Sequence, residues 1–166
     1  MSNKTKNVAF IGICTALALV LSYIEAILPP LFSAVPGIKM GLANIVIIFV
    51  LYRRGPIAAI TVSFIRMLLV SLLFGNMMAL MYSLAGGALS LLVMIILRRL
   101  NFLSAVGTSV AGGVCHNVGQ ILMAMLLLET AELGYYLVVL TVTGTLSGIL
   151  IGLCGAALIK HIPNKI

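Results

Sequence analysis

Residues 77–97, MMALMYSLAGGALSLLVMIIL, form an apolar run without a single charged side chain. An α-helix rises about 1.5 Å per residue, so this run is long enough to cross the roughly 30 Å apolar core of a lipid bilayer. Other long apolar runs lie on both sides of it, separated by short polar or Gly/Pro breaks. The sequence therefore predicts an all-α integral membrane protein.

The composition of the whole chain supports this fold class. The 166 residues are 63% hydrophobic and 8% charged, and the mean hydropathy is +1.28. Soluble domains are roughly 45–50% apolar and about 25% charged, so a soluble globule could not cover its surface with these residues. The chain is too apolar for a disordered protein. Its three cysteines are scattered in apolar runs, which excludes a disulfide scaffold.

The apolar runs predict six transmembrane helices in a single domain that covers residues 1–166. The predicted spans are residues 7–28, 40–52, 56–73, 77–97, 104–128 and 134–159. The second run is short for a full crossing. It must start in the preceding loop, tilt, or thin the bilayer locally.

The charged residues indicate an orientation in the membrane, because Lys and Arg gather in cytoplasmic loops. With the N-terminus in the cytoplasm, six crossings put eight of the ten basic residues on the cytoplasmic side: Lys4, Lys6, Arg53, Arg54, Arg98, Arg99, Lys160 and Lys165. The three acids, Glu25, Glu129 and Glu132, fall near the opposite face. We therefore predict a multi-pass protein of the cytoplasmic membrane with both termini in the cytoplasm. The net charge of +7 is then an orientation signal and not a sign of nucleic-acid binding.

Two basic residues, Lys39 and Arg66, stand apart from the cytoplasmic set. Lys39 ends the predicted external loop at residues 29–39, PPLFSAVPGIK, which is rich in proline and also apolar. Such a loop either folds back over the helices as a lid or lies in the membrane interface, and the first reading is favoured. Arg66 lies near the middle of the third span and has no obvious internal counter-ion in the sequence, so it is either a structural residue or a contact for an anionic ligand.

Further polar residues lie at membrane depth or at the outer ends of the spans. His116 and Gln120 share a face of the fifth span because they are four residues apart, and Asn117 adjoins them. Asn44 lies in the outer part of the second span, and Asn76 and Tyr82 lie at the outer end of the fourth. For His116, a core histidine satisfied by hydrogen bonds is favoured over a ligand contact. A metal site is not expected, because the chain has only two histidines and no CxxC spacing.

The sequence lacks the common signatures of an enzyme. It contains neither the phosphate-binding pattern GxxxxGK[ST] nor the nucleophile pattern GxSxG. All three acids are glutamates, so no aspartate is available to hold Mg²⁺ and a diphosphate. We therefore expect a protein that is not an enzyme and holds no cofactor.

Small residues at a spacing of four allow helices to approach closely in lipid. The longest such ridge lies on the sixth span: Gly144, Gly148, Gly152 and Ala156. Gly12 and Ala16 form a shorter one on the first span. Each ridge fits either packing inside the bundle or docking to a second membrane subunit, and the spacing leaves both readings open.

Three stretches resemble one small membrane family. They are PGIKMGLANIVIIFVLY at residues 36–52, YRRGP at residues 52–56 and GGVCHNVGQ at residues 112–120. The family is the Gx transporter group, also labelled heptaprenyl diphosphate synthase component I. The group in turn resembles the substrate-binding S components of energy-coupling-factor (ECF) transporters, which are six-helix proteins with both termini in the cytoplasm.

The resemblance to S components implies a function, a site and partners. S components bind a vitamin or a related micronutrient near the outer face, under an apolar loop between the first two helices. An AxxxA motif on the first helix docks onto a coupling transmembrane subunit that joins two ATPase subunits. Gly12 stands at the first alanine of that motif, and Ala16 matches the second. The candidate substrate-binding residues are Lys39, Asn44, Arg66, Asn76, Tyr82, His116, Asn117 and Gln120.

The synthase label offers an alternative function. Catalytic subunits of prenyl diphosphate synthases carry aspartate-rich DDxxD motifs, which this chain lacks. In this reading the chain is a non-catalytic membrane subunit associated with heptaprenyl diphosphate or quinone biosynthesis. A structural subunit of a larger membrane complex is a third reading.

Overall fold

The computed structural model describes residues 3–27, 41–75 and 77–162 and is helical almost throughout. The six α-helices are α1 (Asn3–Ile27), α2 (Asn44–Arg54), α3 (Pro56–Phe74), α4 (Met77–Leu100), α5 (Ala105–Leu128) and α6 (Tyr136–His161). A short 3-10 helix, Ala131–Tyr135, joins α5 to α6. No strand occurs in the described part of the chain. The predicted all-α membrane fold is therefore confirmed, and the helix bounds agree with the predicted spans within a few residues.

The six helices differ in how they could meet the bilayer. All except α2 are long and apolar enough to cross a membrane, five spans in the described residues. The 11 residues of α2 rise only about 16 Å. Instead, α2 lies inside the bundle, where every residue from Val46 to Leu51 is buried. The short second span is thus a core helix within the described residues.

Glycines set the distance between α4, α5 and α6. A Cβ atom added to Gly148 would lie 2.7 Å from Val110 Cα, and one added to Gly152 would lie 2.8 Å from Val106 Cα. On the other side of α5, a Cβ atom added to Gly119 would lie 2.7 Å from the Ala85 carbonyl oxygen. Contacts below 3.0 Å leave no room for a methyl group, so these helices meet backbone to backbone. The glycine ridge of α6 therefore packs inside the bundle.

The small residues of α1 have the opposite environment. Gly12 and Ala16 are exposed, and a Cβ atom added to Gly12 would meet no other atom within 4 Å. Exposed apolar side chains flank them, including Val8, Ile13 and Leu17. Nothing in the described part of the chain covers this patch.

One end of the bundle, which we call the basic end, carries arginines bonded to neighbouring helices. Arg53, in the last turn of α2, donates hydrogen bonds to the carbonyl oxygens of Ile159 and Ile162 at the end of α6. Arg54 donates to Asn7 Oδ1 of α1 at 3.2 Å, and its guanidinium lies 4.9 Å from the centre of the Phe10 ring. These contacts bring the start of α1 and the end of α6 to the same end of the molecule.

The glutamates lie toward the other end, which we call the acidic end. Glu25 is in the last turn of α1, Glu129 follows α5 and Glu132 lies in the 3-10 helix. The separation of charge that the sequence predicts is therefore present in the fold. That the basic end faces the cytoplasm stays a prediction from the charges.

Candidate functional site

A polar cavity lies among the six α-helices and the turn before α2, and we call it the inner cavity. Its volume is about 70 Å³. Ser22 and Glu25 of α1, Arg66 of α3 and Ser83 of α4 form part of the wall. The opposite wall is formed by residues of α2, α5 and α6 and by Gly41. Most of the residues that line it are polar or charged, although the helices that carry them are apolar enough to cross a membrane except for α2.

Arg66 carries the positive charge of the inner cavity. One terminal nitrogen, Nη1, donates a long hydrogen bond of 3.4 Å to Ser22 Oγ, and Ser22 Oγ in turn donates to the Ala18 carbonyl at 2.9 Å. Nε is buried and has no hydrogen-bond partner among the described residues. A buried polar group without a partner costs free energy, about 1–3 kcal/mol and more for a charged group. The guanidinium therefore retains donors that a ligand could use.

Glu25 supplies the negative charge, and its position depends on a glycine. The Glu25 carboxylate accepts a hydrogen bond from the backbone N–H of Gly41 and interacts electrostatically with Arg66. Gly41 has φ +74°, a left-handed conformation that glycine adopts without steric cost. The turn continues as the Asn44 N–H donates to the Gly41 carbonyl at 2.8 Å, which places Asn44 at the cavity as the first residue of α2.

His116 and Gln120 reach the cavity across a close contact between α4 and α5. A Cβ atom added to Gly86 would lie 2.7 Å from the His116 carbonyl oxygen and 2.8 Å from Gln120 Cγ. The absence of a side chain at Gly86 thus makes room for both residues. Both line the cavity, as their spacing on one helix face predicts.

Asn117 lines the inner cavity and also joins α5 to α6 through a hydrogen bond. Its side-chain Nδ2 donates to the Leu140 carbonyl of α6 at 2.6 Å. The lack of a side chain at Gly144 permits this, since a Cβ atom there would lie 2.7 Å from Asn117 Nδ2. This hydrogen bond therefore holds α5 against α6 at a residue that also lines the cavity.

The fold brings together most of the predicted binding residues. Asn44, Arg66, His116, Asn117 and Gln120 all line the inner cavity. Tyr82 is partly buried but does not line it; its neighbour Ser83 does. Lys39, Asn76 and the predicted lid at residues 29–39 lie outside the described residues. That these residues bind a ligand stays a prediction.

Sequence reasoning missed four polar residues of the wall: Ser22, Glu25, Ser83 and Ser147. The serines carried no distinguishing signal, because serine is common in membrane helices. The charge pattern explains Glu25 only as an orientation signal, and the expectation that Arg66 lacks an internal counter-ion is wrong, because Glu25 interacts with it electrostatically. The opposite charges of Glu25 and Arg66 are the sequence signal that could have indicated this pair.

The inner cavity does not resemble a metal centre. Within the described ranges, no group of three or more His, Cys, Asp or Glu residues could hold a metal ion. One guanidinium, one carboxylate and several amides and hydroxyls suit a small organic ligand with an anionic group. Guanidinium groups bind carboxylate and phosphate groups through paired hydrogen bonds.

Comparison with known proteins identifies the family. The family model described as heptaprenyl diphosphate synthase component I matches residues 14–158, most of the 166-residue chain. The match includes α2 to α5, α1 from residue 14 onward, α6 as far as residue 158, and every residue that lines the inner cavity. No curated protein and no solved structure matches the chain. The chain thus belongs to the heptaprenyl diphosphate synthase component I family of membrane-embedded proteins.

Proposed function

We propose that this chain is the substrate-binding membrane subunit, an S component, of an ECF-type transporter. Its substrate is a vitamin or a related small micronutrient with an anionic group, and ATP is hydrolysed by partner chains. The observation that carries the proposal is the inner cavity, where Arg66 keeps a buried Nε donor without a partner among the described residues.

The position of the inner cavity supports binding from one side of the membrane. Glu25 and Gly41 line it, so part of its wall lies toward the acidic end. In the predicted orientation this end faces the outside. The predicted lid ends at residue 39, two residues before Gly41, so closure of the lid would be coupled directly to the wall of the cavity.

The size of the cavity bears on how a ligand is held. Its volume of about 70 Å³ is well below the roughly 300–1,000 Å³ of ordinary ligand pockets. A carboxylate or phosphate group could enter beside Arg66, whereas a whole vitamin requires the surrounding helices to separate. Binding therefore includes an opening of the bundle at the acidic end, which is the kind of motion that alternating access needs.

The exposed patch of α1 supports the second part of the proposal. Gly12 and Ala16 face outward, whereas the glycines of α6 are used inside the bundle. Of the two ridges, only the one on α1 therefore remains available for a membrane partner. A small-residue ridge allows a partner helix to approach closely, which is how the coupling subunit would dock.

Reconstitution tests the transport proposal. Liposomes are prepared with the chain, the coupling subunit and both ATPase subunits, and uptake is measured for a pool of vitamins and small organic anions. We expect ATP-dependent uptake of one compound, lost in Arg66→Gln and retained in Arg99→Gln. Absence of ATP-dependent uptake for the whole pool would contradict the proposal.

Bulky substitutions test the docking patch separately. Gly12→Leu adds a side chain where nothing lies within 4 Å, so it should leave the fold and the melting temperature unchanged. We expect it to abolish co-purification with the coupling subunit. Ala88→Leu, at an exposed small residue of α4, is the matched control and should co-purify normally. Equal co-purification of both variants would exclude the α1 patch as the docking surface.

A second candidate function follows from the family description. The chain could be a non-catalytic membrane subunit that binds a prenyl diphosphate synthase. Co-purification with a soluble prenyl synthase, together with altered product length after deletion of the chain, would support this candidate. Neither result is expected under the transport proposal.

A further inference from the structure

A second pocket lies at the basic end, between the α2–α3 turn and the end of α4. We call it the basic-end pocket. It has a volume of about 480 Å³ and is lined by Tyr52, Pro56, Arg98 and Arg99 together with apolar side chains such as Leu51 and Ile95. It shares no residue with the inner cavity.

Arg98 is held at the pocket by Tyr52 but keeps free donors. Its Nη2 donates to the Tyr52 carbonyl at 3.3 Å, and its guanidinium lies 5.4 Å from the centre of the Tyr52 ring. The Tyr52 ring is itself fixed, because its hydroxyl lies 3.0 Å from Thr108 Oγ1. A guanidinium has five N–H donors, so the fixed Arg98 can bind a further acceptor.

Among the described residues, no acidic side chain lines the basic-end pocket. The chain has three acids, and all of them lie toward the acidic end, on or beside α1, α5 and the 3-10 helix. Arg99 is exposed and lies in the last turn of α4 beside Arg98. An anionic ligand can therefore supply the opposite charge.

Two helices that contribute to the pocket, α3 and α4, carry exposed apolar side chains. Ile57 and Ile60 of α3 are 80% and 48% exposed, and Leu92 and Ile96 of α4 are 56% and 46% exposed. These helices are long enough to cross a membrane, so such side chains lie against lipid chains. A ligand here would combine an anionic head with an apolar tail.

We propose that the basic-end pocket binds the phosphate headgroup of an anionic phospholipid. Arg98 and Arg99 contact the phosphate, and the acyl chains lie along α3 and α4. Basic pockets between membrane helices bind such headgroups, and each basic residue near the surface contributes roughly a fivefold increase in affinity. This site is independent of the transport proposal.

Native mass spectrometry tests this site. The purified protein is equilibrated in mixed micelles with equal amounts of phosphatidylglycerol and phosphatidylcholine, and the ratio of the bound lipids is measured. We expect the wild type to favour phosphatidylglycerol. Arg99→Gln should lower the ratio about fivefold, and Arg98→Gln combined with Arg99→Gln about twenty-fivefold. Because Arg99 is exposed, its single substitution should leave the fold intact.

The matched control removes two charges from the same end but outside the pocket. Lys6→Gln combined with Lys160→Gln changes two exposed residues that do not line it. A ratio within about twofold of the wild type in this control supports the site. An equal drop in both double variants would overturn it, because general surface charge would then explain the preference. Displacement of the lipid by inorganic phosphate at equal concentration would overturn the assignment to a lipid.

Discussion

The inner cavity and the basic-end pocket both contain arginine, but the groups that surround the arginine charge differ between the two sites. Arg66 faces a carboxylate, a serine hydroxyl and amides inside the bundle. Arg98 and Arg99 line the pocket at the basic end, where Arg98 lies over the Tyr52 ring and no acidic side chain of the described residues lines the wall. The first environment can select a ligand by the geometry of its polar groups, whereas the second recognises a negative charge attached to an apolar body.

This difference has a physical basis in the depth of the two sites. A charge inside an apolar bundle is costly unless it is paired, so Arg66 requires Glu25 or a ligand. A charge at the membrane surface keeps its water and its lipid neighbours, so Arg99 requires no partner from the chain. Substitutions at the two sites should therefore affect different measurements.

The largest expected effect comes from Arg66→Gln. Hydrogen bonds to a charged group contribute about 1.5–3 kcal/mol each, so losing the guanidinium should weaken ligand binding roughly 30-fold or more. Arg66→Lys keeps the charge but loses the planar pair of donors, and an intermediate loss is expected. Both are checked by ligand titration of the purified protein. Arg98→Gln should change this affinity by less than about twofold, and an equal loss there would remove the distinction between the sites.

The next largest effect is expected at Gly86. Gly86→Ala places a methyl group 2.7 Å from the His116 carbonyl oxygen, which should cost about 1–3 kcal/mol of stability and displace the His116 and Gln120 walls. We expect a lower melting temperature and weaker ligand binding. Gly12→Ala, where a methyl group meets nothing within 4 Å, is the control and should behave as the wild type. Unchanged ligand binding in Gly86→Ala would show that the α4–α5 contact does not shape the inner cavity.

A smaller effect of opposite sign is expected at Glu25. Glu25→Gln retains an oxygen that can accept from the Gly41 N–H but removes a negative charge from the cavity. An anionic ligand should then bind more tightly, by about 1 kcal/mol or roughly fivefold, because one repulsive charge is gone. Titration with the same ligand measures the change. Weaker binding would mean that Glu25 contacts a positive group of the ligand, and the ligand would then be a zwitterion.

The sequence predicted much of this fold because charge and hydropathy act over whole helices. The helix bounds and the separation of Arg53 and Arg98 from the glutamates follow from these two properties. The burial of α2 did not, because a short apolar run fits both a core helix and a tilted span. The two small-residue ridges could not be told apart either, since Gly12 and Gly148 have the same spacing pattern but opposite environments.

The inner cavity could be predicted only in part. Arg66 and His116 were found because ionisable groups are rare at membrane depth. Glu25 was missed because its charge also fitted the orientation pattern. Ser22 and Ser147 could not have been found, because the rotation of a helix that is apolar on all sides is poorly defined by its periodicity. The packing of α1 and α6 determines which of their residues face inward.

The most direct test of the inner cavity is native mass spectrometry of the purified protein, released from detergent with any retained small molecule. The wild type should retain a small organic anion, and Arg66→Gln should lose it while Arg99→Gln keeps it. Retention of the same molecule by the wild type and by Arg66→Gln would contradict the proposal that Arg66 binds the substrate.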